Sequence, residues 1–455
     1  MTKVPAAYTL IIGLGISGQA IARHLTRQGV PFMIADTREA PPGLDAFRDV
    51  YPDVEVVCGP LQALDMREAH EIVVSPGVDL RTQGLVEHLN AKGEGPYVVG
   101  EITLFVRACR APIAAITGSN AKSTVTTLLG EMARESGRRV AVGGNLGTPA
   151  LDLLTEVPDA ELFVLELSSF QLETTAWLGA ETVAFLNLCE DHLDRHGDMH
   201  GYQSAKRRIF RGARHAVVNA DDAATWPDAQ VDDVVRFTTR SPAGEDWGID
   251  AHGGDAWLVH GASSIMSTRS VRMPGRHNHA NALAALAMGT RLGLPLAAMR
   301  RVLERFSGLP HRSELVVERD GVRWINDSKG TNVGATLAAI EGVGPVLEGR
   351  LILLAGGDGK GADFMPLVEP LRRYAREAVV FGRDAQRLER VISRSVPVTR
   401  VADLEAAMRR AQAIADVGDA VLLSPACASL DQFPHYMARG DAFRQWLKQD
   451  GVAAC

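Results

Sequence analysis

Short apolar runs recur along this chain, each closing on glycine or a polar loop and giving way to helix-like periodicity. They span Tyr8 to Ile12, Pro31 to Ala35, Pro112 to Thr117, Leu162 to Leu167, Val183 to Leu188, Leu351 to Ala355 and Ala378 to Phe381. Runs of strand length separated by helical crossovers predict parallel sheets covered by helices, an α/β architecture. Between Phe237 and Arg272 the pattern changes to short alternating runs with Gly, Asp and Ser, which predicts a small antiparallel addition.

The chain has 455 residues, and roughly 150 per domain gives about three domains. Three of the apolar runs end in glycine-bearing loops of different chemistry, GLGISG at 13–18, GSNAKST at 118–124 and GGDGKG at 356–361. Each is read as the heart of a separate unit. The first boundary is placed at 100/101, after the AKGEGP stretch at 91–96, and the second at 308/309, where helical periodicity stops at SGLP. The expected domains are therefore 1–100, 101–308 and 309–455.

Composition narrows the function classes. With 46% hydrophobic and 23% charged residues the chain can bury several cores. Forty-eight basic against 55 acidic residues leave a net charge of −7, which argues against nucleic acid or an anionic membrane as the main partner. No apolar run is long enough to span a bilayer, and Gly13, Gly15 and Gly18 interrupt the N-terminal apolar stretch, unlike a secretory signal. Five scattered cysteines without a C-x-x-C pair suit a reducing compartment, so a cytoplasmic location is expected.

The loop Gly13 to Gly18 sits between a strand-like run and a helix, where backbone N–H groups can approach a diphosphate. Asp36 ends the next strand-like run, about where a ribose-binding acid stands in a dinucleotide site, and Thr37 and Arg38 add donors and a positive charge. A tight turn without a ligand is the competing reading. The segment Thr117 to Thr124 has the strand-to-helix context of a phosphate loop, with Lys122 aimed at phosphates and the Ser123 hydroxyl facing Mg²⁺. Ile116 and Ala121 replace the two usual glycines, and an alanine at 121 is expected to need a negative φ. A Ser/Thr-rich helix cap would explain the same string.

Glu166 ends the run LFVLEL beside that loop, where a second Mg²⁺ ligand belongs, although a solvated edge charge is the commoner outcome. The string from Glu190 to His196 alternates His and Asp, which suits either a metal site or a polar loop. In the last third, His311 and Arg312 precede the strand-like WIND, which runs into Asp327, Lys329 and Thr331. Lys360 in GGDGKG and the SPACASLDQF segment at 424–433 likewise follow apolar runs, and loops after parallel strands are where ligands bind.

In order along the chain, GLGISG, MIADTR, ITGSNAKSTVTTLLGEM, GGNLG, LELSSFQLET, NLCEDHLDRH, HNHANALAALA, GLPHR, INDSKGTNVGAT, AGGDGKGADF and LLSPACASLDQF resemble the Mur ligase family. The resemblance implies three domains: an N-terminal Rossmann-like unit for a UDP-sugar peptide, a central ATP-binding P-loop unit, and a C-terminal dinucleotide-fold-like unit that receives an amino acid. It implies an ATP-dependent amide ligase, forming ADP and phosphate through an acyl phosphate, in peptidoglycan precursor synthesis. The implied partners are UDP-N-acetylmuramoyl-L-alanine, D-glutamate and ATP, acting on a monomer. The residues alone leave glutamate stereochemistry open.

The resemblance also assigns sites. Gly15, Ile16 and Ser17 with Asp36, Thr37 and Arg38 fall on the UDP site, so the N-terminal glycines would hold UDP rather than a nicotinamide nucleotide. Gly118, Ser119, Asn120, Ala121, Lys122, Ser123 and Thr124 form the ATP phosphate loop. Ser123 and Glu166 would hold one Mg²⁺, while Asn145 and His192 line the reacting centre. Lys206 falls on a carbamylated lysine that, with His192, would hold a second Mg²⁺; an ammonium has only donors, whereas a carbamate offers anionic oxygens. Asn278 and Asn281 would meet adenine, Asp327 the ribose, and His311, Arg312 and Lys329 the nucleotide or its phosphates. Thr331, Lys360, Ser429, Leu430 and Tyr436 fall on the glutamate pocket, with Tyr436 adding a hydroxyl where the family pattern has Phe. Closure of the third domain over the nucleotide is also expected.

A nicotinamide dehydrogenase would use Gly13 to Gly18 and Asp36 but leaves Lys122, Glu166 and Lys206 without a role. A non-catalytic nucleotide sensor would keep the loops without turnover. Two anionic substrates on a net-negative protein call for local positive charge, which Arg38, Lys122, Arg312, Lys329, Lys360 and Mg²⁺ would supply.

Overall fold

A computed structural model describes residues 8–449 apart from 62–63, 65, 67–68, 82–96, 229–230 and 274. The N-terminal residues 1–7, the AKGEGP stretch at 91–96 and Cys455 lie outside the described residues. The chain divides into two compact units, one of Met1–Leu188, His192–Met266 and Asn281–Val302, the other of Cys189–Asp191, Ser267–Ala280 and Leu303–Cys455. The described residues form three sheets, of five, nine and six strands.

Both of the larger-unit sheets begin from fully buried strands. In the first, Tyr8–Ile12 pairs in parallel with Phe32–Asp36 on one side and Ala69–Val74 on the other, and Val56–Cys58 and Tyr97–Gly100 complete the edges. In the second, Ile113–Thr117 pairs in parallel with Leu162–Glu166 and Thr182–Phe185, with Val140–Gly144 beyond Leu162–Glu166. Continuous apolar strands with no polar face are what a parallel sheet covered by helices requires. A single apolar cluster runs through both sheets, from Ile11 and Ile34 to Leu165 and Phe185, with Phe105 edge-on to Phe163 at 5.2 Å.

The antiparallel addition is present, and it extends the central sheet rather than standing apart from it. Trp247–His252 continues the sheet in parallel from Asp233–Phe237 through the pair Phe237 and Trp247, and then pairs antiparallel with Asp255–His260. The strand expected over Val183 to Leu188 stops at Phe185. Leu186 and Asn187 leave the ladder because their main-chain groups bond the phosphate loop, Leu186 N–H to Thr117 O and Asn187 O to Ser119 N–H.

The second unit has strand order Glu314–Arg319, Val322–Asn326, Ala420–Leu423, Leu351–Gly356, Ala375–Phe381, Val398–Arg400. Its first pair is antiparallel and the others parallel. Along Leu351–Gly356 the side chains alternate: Leu351, Leu353 and Ala355 enter one core, and Ile352 and Leu354 the other. That period of two places helices on both faces of the sheet. Among the described residues no helix is long and apolar enough to cross a membrane.

Candidate functional site

The central sheet presents the carboxyl ends of Ile113–Thr117, Leu162–Glu166 and Val140–Gly144 at one edge. The loop that leaves the first of them opens the helix Lys122–Glu135. Lys122 Nζ turns back and donates to Gly118 O and Ser119 O, both at 2.9 Å, so the ammonium lies over the loop. The loop is braced from Asn187, whose Oδ1 accepts Asn120 N–H at 2.8 Å and whose Nδ2 donates to Asn120 O at 3.2 Å. Thr124, on the next turn, is buried.

Ala121 takes the left-handed conformation, with φ of 65°. The expected negative φ is therefore wrong: the loop needs αL geometry at its last residue to start the helix, and the alanine adopts it at a cost of roughly 1–2 kcal/mol.

Ser123 Oγ donates to Glu166 Oε2 at 2.5 Å, and Asn145 Nδ2 donates to Glu166 Oε1 at 2.7 Å. Glu166 is buried while Asn145 is exposed. A hydroxyl and a carboxylate at the sheet edge next to a lysine-bearing loop are the hard oxygen donors Mg²⁺ takes, so the residues present fit one such ion.

Lys206, only 1% exposed, donates from Nζ to Gly118 O at 2.7 Å and lies 4.6 Å from the centre of the Tyr202 ring. The same Tyr202 hydroxyl accepts from Ser119 Oγ at 3.2 Å. The structure thus brings Lys206 against the phosphate loop, with an ammonium that offers only donors. His192 sits in the left-handed region, its ring edge-on to Phe170 at 5.0 Å and to Tyr202 at 6.1 Å. The metal reading of 190–196 is not realised by His196, which is buried with its ring nitrogens on Ser169 Oγ and Glu173. Among the described residues no three His, Cys, Asp or Glu side chains gather as a metal site.

In the N-terminal sheet, Gly15 caps the helix Ile16–Gln28, and a Cβ on Gly15 would meet nothing within 4 Å. Gly18 is the opposite case, since a Cβ there would stand 1.8 Å from Gly13 O. Ile16 is 74% exposed and Ser17 half-buried. Asp36, expected as a ribose ligand, has both oxygens engaged: Leu14 N–H donates to Oδ2 at 2.7 Å, Arg38 N–H to Oδ1 at 2.9 Å, and the Arg38 guanidinium to both. Burial opposes its charge, but the Arg38 guanidinium and the two amides outweigh that and hold its pKa below the ordinary carboxylate range. Its carboxylate shapes the glycine loop, and Thr37 and half-exposed Arg38 are the groups presented beside it.

In the second unit, Asp327 follows the strand Val322–Asn326 and is buried, accepting from Ser424 Oγ at 2.6 Å and Ser313 N–H at 3.0 Å. Burial pushes its carboxyl up to about 6 against those donors. His311 is in the left-handed region with its Nδ1 at 3.0 Å from Asn326 Nδ2; its pKa is lowered by burial and then by Arg444. Lys329 N–H donates to His311 O, Thr331 N–H to Lys329 O, and Lys329 Nζ lies 4.2 Å from the Tyr436 ring centre. His311, Arg312, Asp327, Lys329, Thr331 and Tyr436 are thus one neighbourhood. Lys360 is exposed with φ of 48°, on a loop tied to the 424–433 segment by main-chain bonds between Asp358 and Ala428. Ser429 is buried there and Leu430 is 69% exposed. Asn278 and Asn281 lie one turn apart on the helix Arg276–Arg291, the first half-buried and the second buried.

Sequence reasoning missed Arg439. It is 1% exposed, and its guanidinium donates to Ser328 O and Oγ, Cys427 O and Gly356 O. Burial lowers its pKa to about 10. One buried cation therefore ties three strand-end loops of the sheet together. Its position inside the amphipathic helix Tyr436–Gln449 gave no local sign of this.

Family matches cover most of the chain: the MurD-like N-terminal domain of Mur ligases at residues 7–100, the Mur ligase middle domain at 116–289, and the Mur ligase glutamate ligase domain at 311–427. A relative from Chromohalobacter salexigens, named UDP-N-acetylmuramoylalanine--D-glutamate ligase, is 74% identical over 455 residues, all of both chains. A relative of the same name from Pseudomonas aeruginosa is 51% identical over 97% of this chain and 98% of its own. Among solved structures, the UDP-N-acetylmuramate-alanine ligase of Thermotoga maritima superposes with a TM-score of 0.59 at 17% identity, over 97% of this chain and 99% of that one. MurF from Acinetobacter baumannii gives 0.61 at 16%, over 91% and 90%. These two share the three-domain α/β fold.

Proposed function

The chain belongs to the Mur ligase family, and on that premise we propose that it joins D-glutamate to UDP-N-acetylmuramoyl-L-alanine with hydrolysis of ATP to ADP and phosphate. This is a step in making peptidoglycan precursors, and the place we assign it is the cytoplasm. The observation that carries the reading is 74% identity along the full chain to a relative named for that reaction. The domains we assign are 1–100 for the UDP end, 101–308 for ATP and 309–455 for glutamate.

The residues divide the chemistry as follows. Gly15, Ile16 and Ser17 offer helix N-terminal amides to the UDP diphosphate, with Thr37 and Arg38 alongside. The loop Gly118 to Thr124 cradles the ATP phosphates, and Lys122 neutralises the charge on the γ-phosphoryl as it passes to the alanyl carboxylate. Ser123 and Glu166 would hold Mg²⁺, which would offset negative charge on the ATP phosphates. Asn145 and His192 orient the carboxylate acceptor. Thr331, Lys360, Ser429, Leu430 and Tyr436 hold glutamate, whose amine attacks the acyl phosphate carbonyl; phosphate leaves and an amide remains. Asn278, Asn281, His311, Arg312, Asp327 and Lys329 are assigned to the nucleotide.

Lys206 is proposed to act as a carbamate with His192 on a second Mg²⁺. Its burial against the phosphate loop supports this, since a buried group there with anionic oxygens would complement the cation. Lys206→Ala should regain part of its turnover with a short free carboxylate, and no rescue removes the carbamate.

The deciding experiment is a coupled assay of ADP release with UDP-N-acetylmuramoyl-L-alanine and either D- or L-glutamate. ADP release that requires the muramyl substrate and D-glutamate is the expected result. Release with L-glutamate alone would replace the assigned enantiomer, and release without an amino acid would replace the reaction.

A further inference from the structure

The helix Ile16–Gln28 begins at the glycine loop, and its far end carries His24 and Arg27. These two side chains line a cavity of about 540 Å³ together with Gln28, Arg110, Leu154 and Phe163. The whole lining belongs to the larger unit. Arg110 precedes the strand Ile113–Thr117 that feeds the phosphate loop, and Phe163 stands near the amino end of the strand that closes on Glu166. The cavity is therefore at the opposite edge of the central sheet from Lys122, since a five-residue strand spans roughly 16 Å.

His24 is 7% exposed, and its ring makes no hydrogen bond among the described residues. A buried polar ring ordinarily has a partner. Arg27 and Arg110 are exposed, and neither makes an ion pair or a hydrogen bond among the described residues. The basic residues around them are committed: Arg23 to Asp152, Arg107 to Glu71, and Arg139 to Asp159 and Glu161. Those pairs also take up three of the acids that flank the lining in sequence, and the fourth, Glu156, accepts from Thr148 Oγ1. No acid lines the cavity.

Two helices end here, Ile16–Gln28 and Glu101–Ala108, and each brings roughly half a negative charge. Two guanidiniums exceed that by about one positive charge, on a chain whose net charge is −7. The helix ends alone do not account for both arginines. Burial and then the Arg27 charge lower the His24 pKa, so near neutral pH its ring is an uncharged donor. Leu154 and Phe163 add an apolar wall, and the volume is that of a small organic molecule rather than a bare ion.

We propose that this cavity is a second anion site, separate from the glycine loop and the phosphate loop, that takes a phosphate monoester with an apolar body. The guanidiniums of Arg27 and Arg110 hold phosphate oxygens, to which their planar donor pairs are matched. His24 donates to the same group, and the body lies along Leu154 and Phe163. The ligand bridges the helix of the glycine loop and the segment leading into the phosphate loop, so its binding stabilises the larger unit.

The test is an NMR titration of the full chain, carrying isotope-labelled histidine, with phenyl phosphate; the His24 signal is identified by its loss in His24→Gln. The wild-type His24 signal should shift saturably with phenyl phosphate and stay in place with phenol. The double variant Arg27→Gln/Arg110→Gln should weaken Kd by about tenfold or more, while its ADP release without the probe stays within about twofold of wild type. Lys122→Ala should leave the His24 titration unchanged, which separates this site from the phosphate loop. A His24 signal that does not move, or that moves equally in the double variant, overturns the proposal. An equal shift with phenol overturns the anion, and equal affinity for inorganic phosphate overturns the apolar body. Should the double variant not fold, the wild-type comparison of phenyl phosphate, phenol and inorganic phosphate decides.

Discussion

The glycine loop at 13–18 and the phosphate loop at 118–121 occupy equivalent places, each between a buried parallel strand and a helix, yet they are built by opposite means. The phosphate loop brings a lysine, a hydroxyl and a carboxylate: Lys122 over its own carbonyls, and Ser123 on Glu166. The glycine loop has no lysine, and its conspicuous acid, Asp36, is consumed in holding Leu14 N–H and Arg38. On the proposed assignment, one loop would follow charge that moves during a reaction, whereas the other would offer main-chain amides to charge that stays put. The shared scaffold supplies anion-binding geometry, and two or three side chains decide whether chemistry happens there.

The largest expected effect is at the side chain that separates the two loops most. Lys122→Ala should lower kcat for ADP release by about a thousandfold or more, as loss of a charge on a transferring phosphoryl does. The Kd for the muramyl substrate, assigned to the other loop, should stay within about twofold of wild type in titration calorimetry. Comparable turnover in the variant would erase the contrast, since both loops would then be passive anion seats.

Much of this contrast is legible in the sequence. Lys122, Ser123 and Glu166 are read from local context, because strand, loop and helix start are consecutive and each announces itself by composition. Asp36 is legible only in part: its place at a strand end is read from the sequence, but its bonds to Leu14 N–H and Arg38 follow from spacing in three dimensions. Asn187, Tyr202 and Glu101 are illegible for a related reason. Their partners Asn120, Ser119 and Leu151 are 67, 83 and 50 residues away, and polar bonds of such range follow from sheet order rather than from any period in the chain. Arg439 is the extreme case, since a charged residue in a surface-type helix is ordinarily solvated.

Next in size is the pair Gly18 and Gly15, which sharpens the comparison within the glycine loop. Gly18→Ala places a methyl against Gly13 O, and the helix can yield only by leaving the strand, so a loss of about 3 kcal/mol is expected. Gly15→Ala faces open space at φ of −88° and should stay within about 0.5 kcal/mol of wild type in chemical denaturation. It should instead raise the KM for the muramyl substrate, because the space its methyl fills is where the proposed assignment brings amides to the diphosphate. Unchanged KM in Gly15→Ala would mean that the loop is a turn with no ligand.

The smallest effect concerns Ala121, the one place where the phosphate loop departs from glycine although its backbone asks for it. An L-residue at φ of 65° gives up roughly 1–2 kcal/mol relative to the right-handed region. Ala121→Gly removes that strain but loosens the unfolded chain by about 0.4–1 kcal/mol, so the net gain should be near 0.5–1 kcal/mol. The urea midpoint of the transition that unfolds the first unit should rise accordingly, while kcat should hold within about twofold, since the Lys122 bonds run to Gly118 and Ser119 carbonyls that the methyl does not touch. A lowered midpoint would show that the resting loop in solution is not left-handed at this residue, and the alanine would then be the preferred side chain rather than a tolerated one.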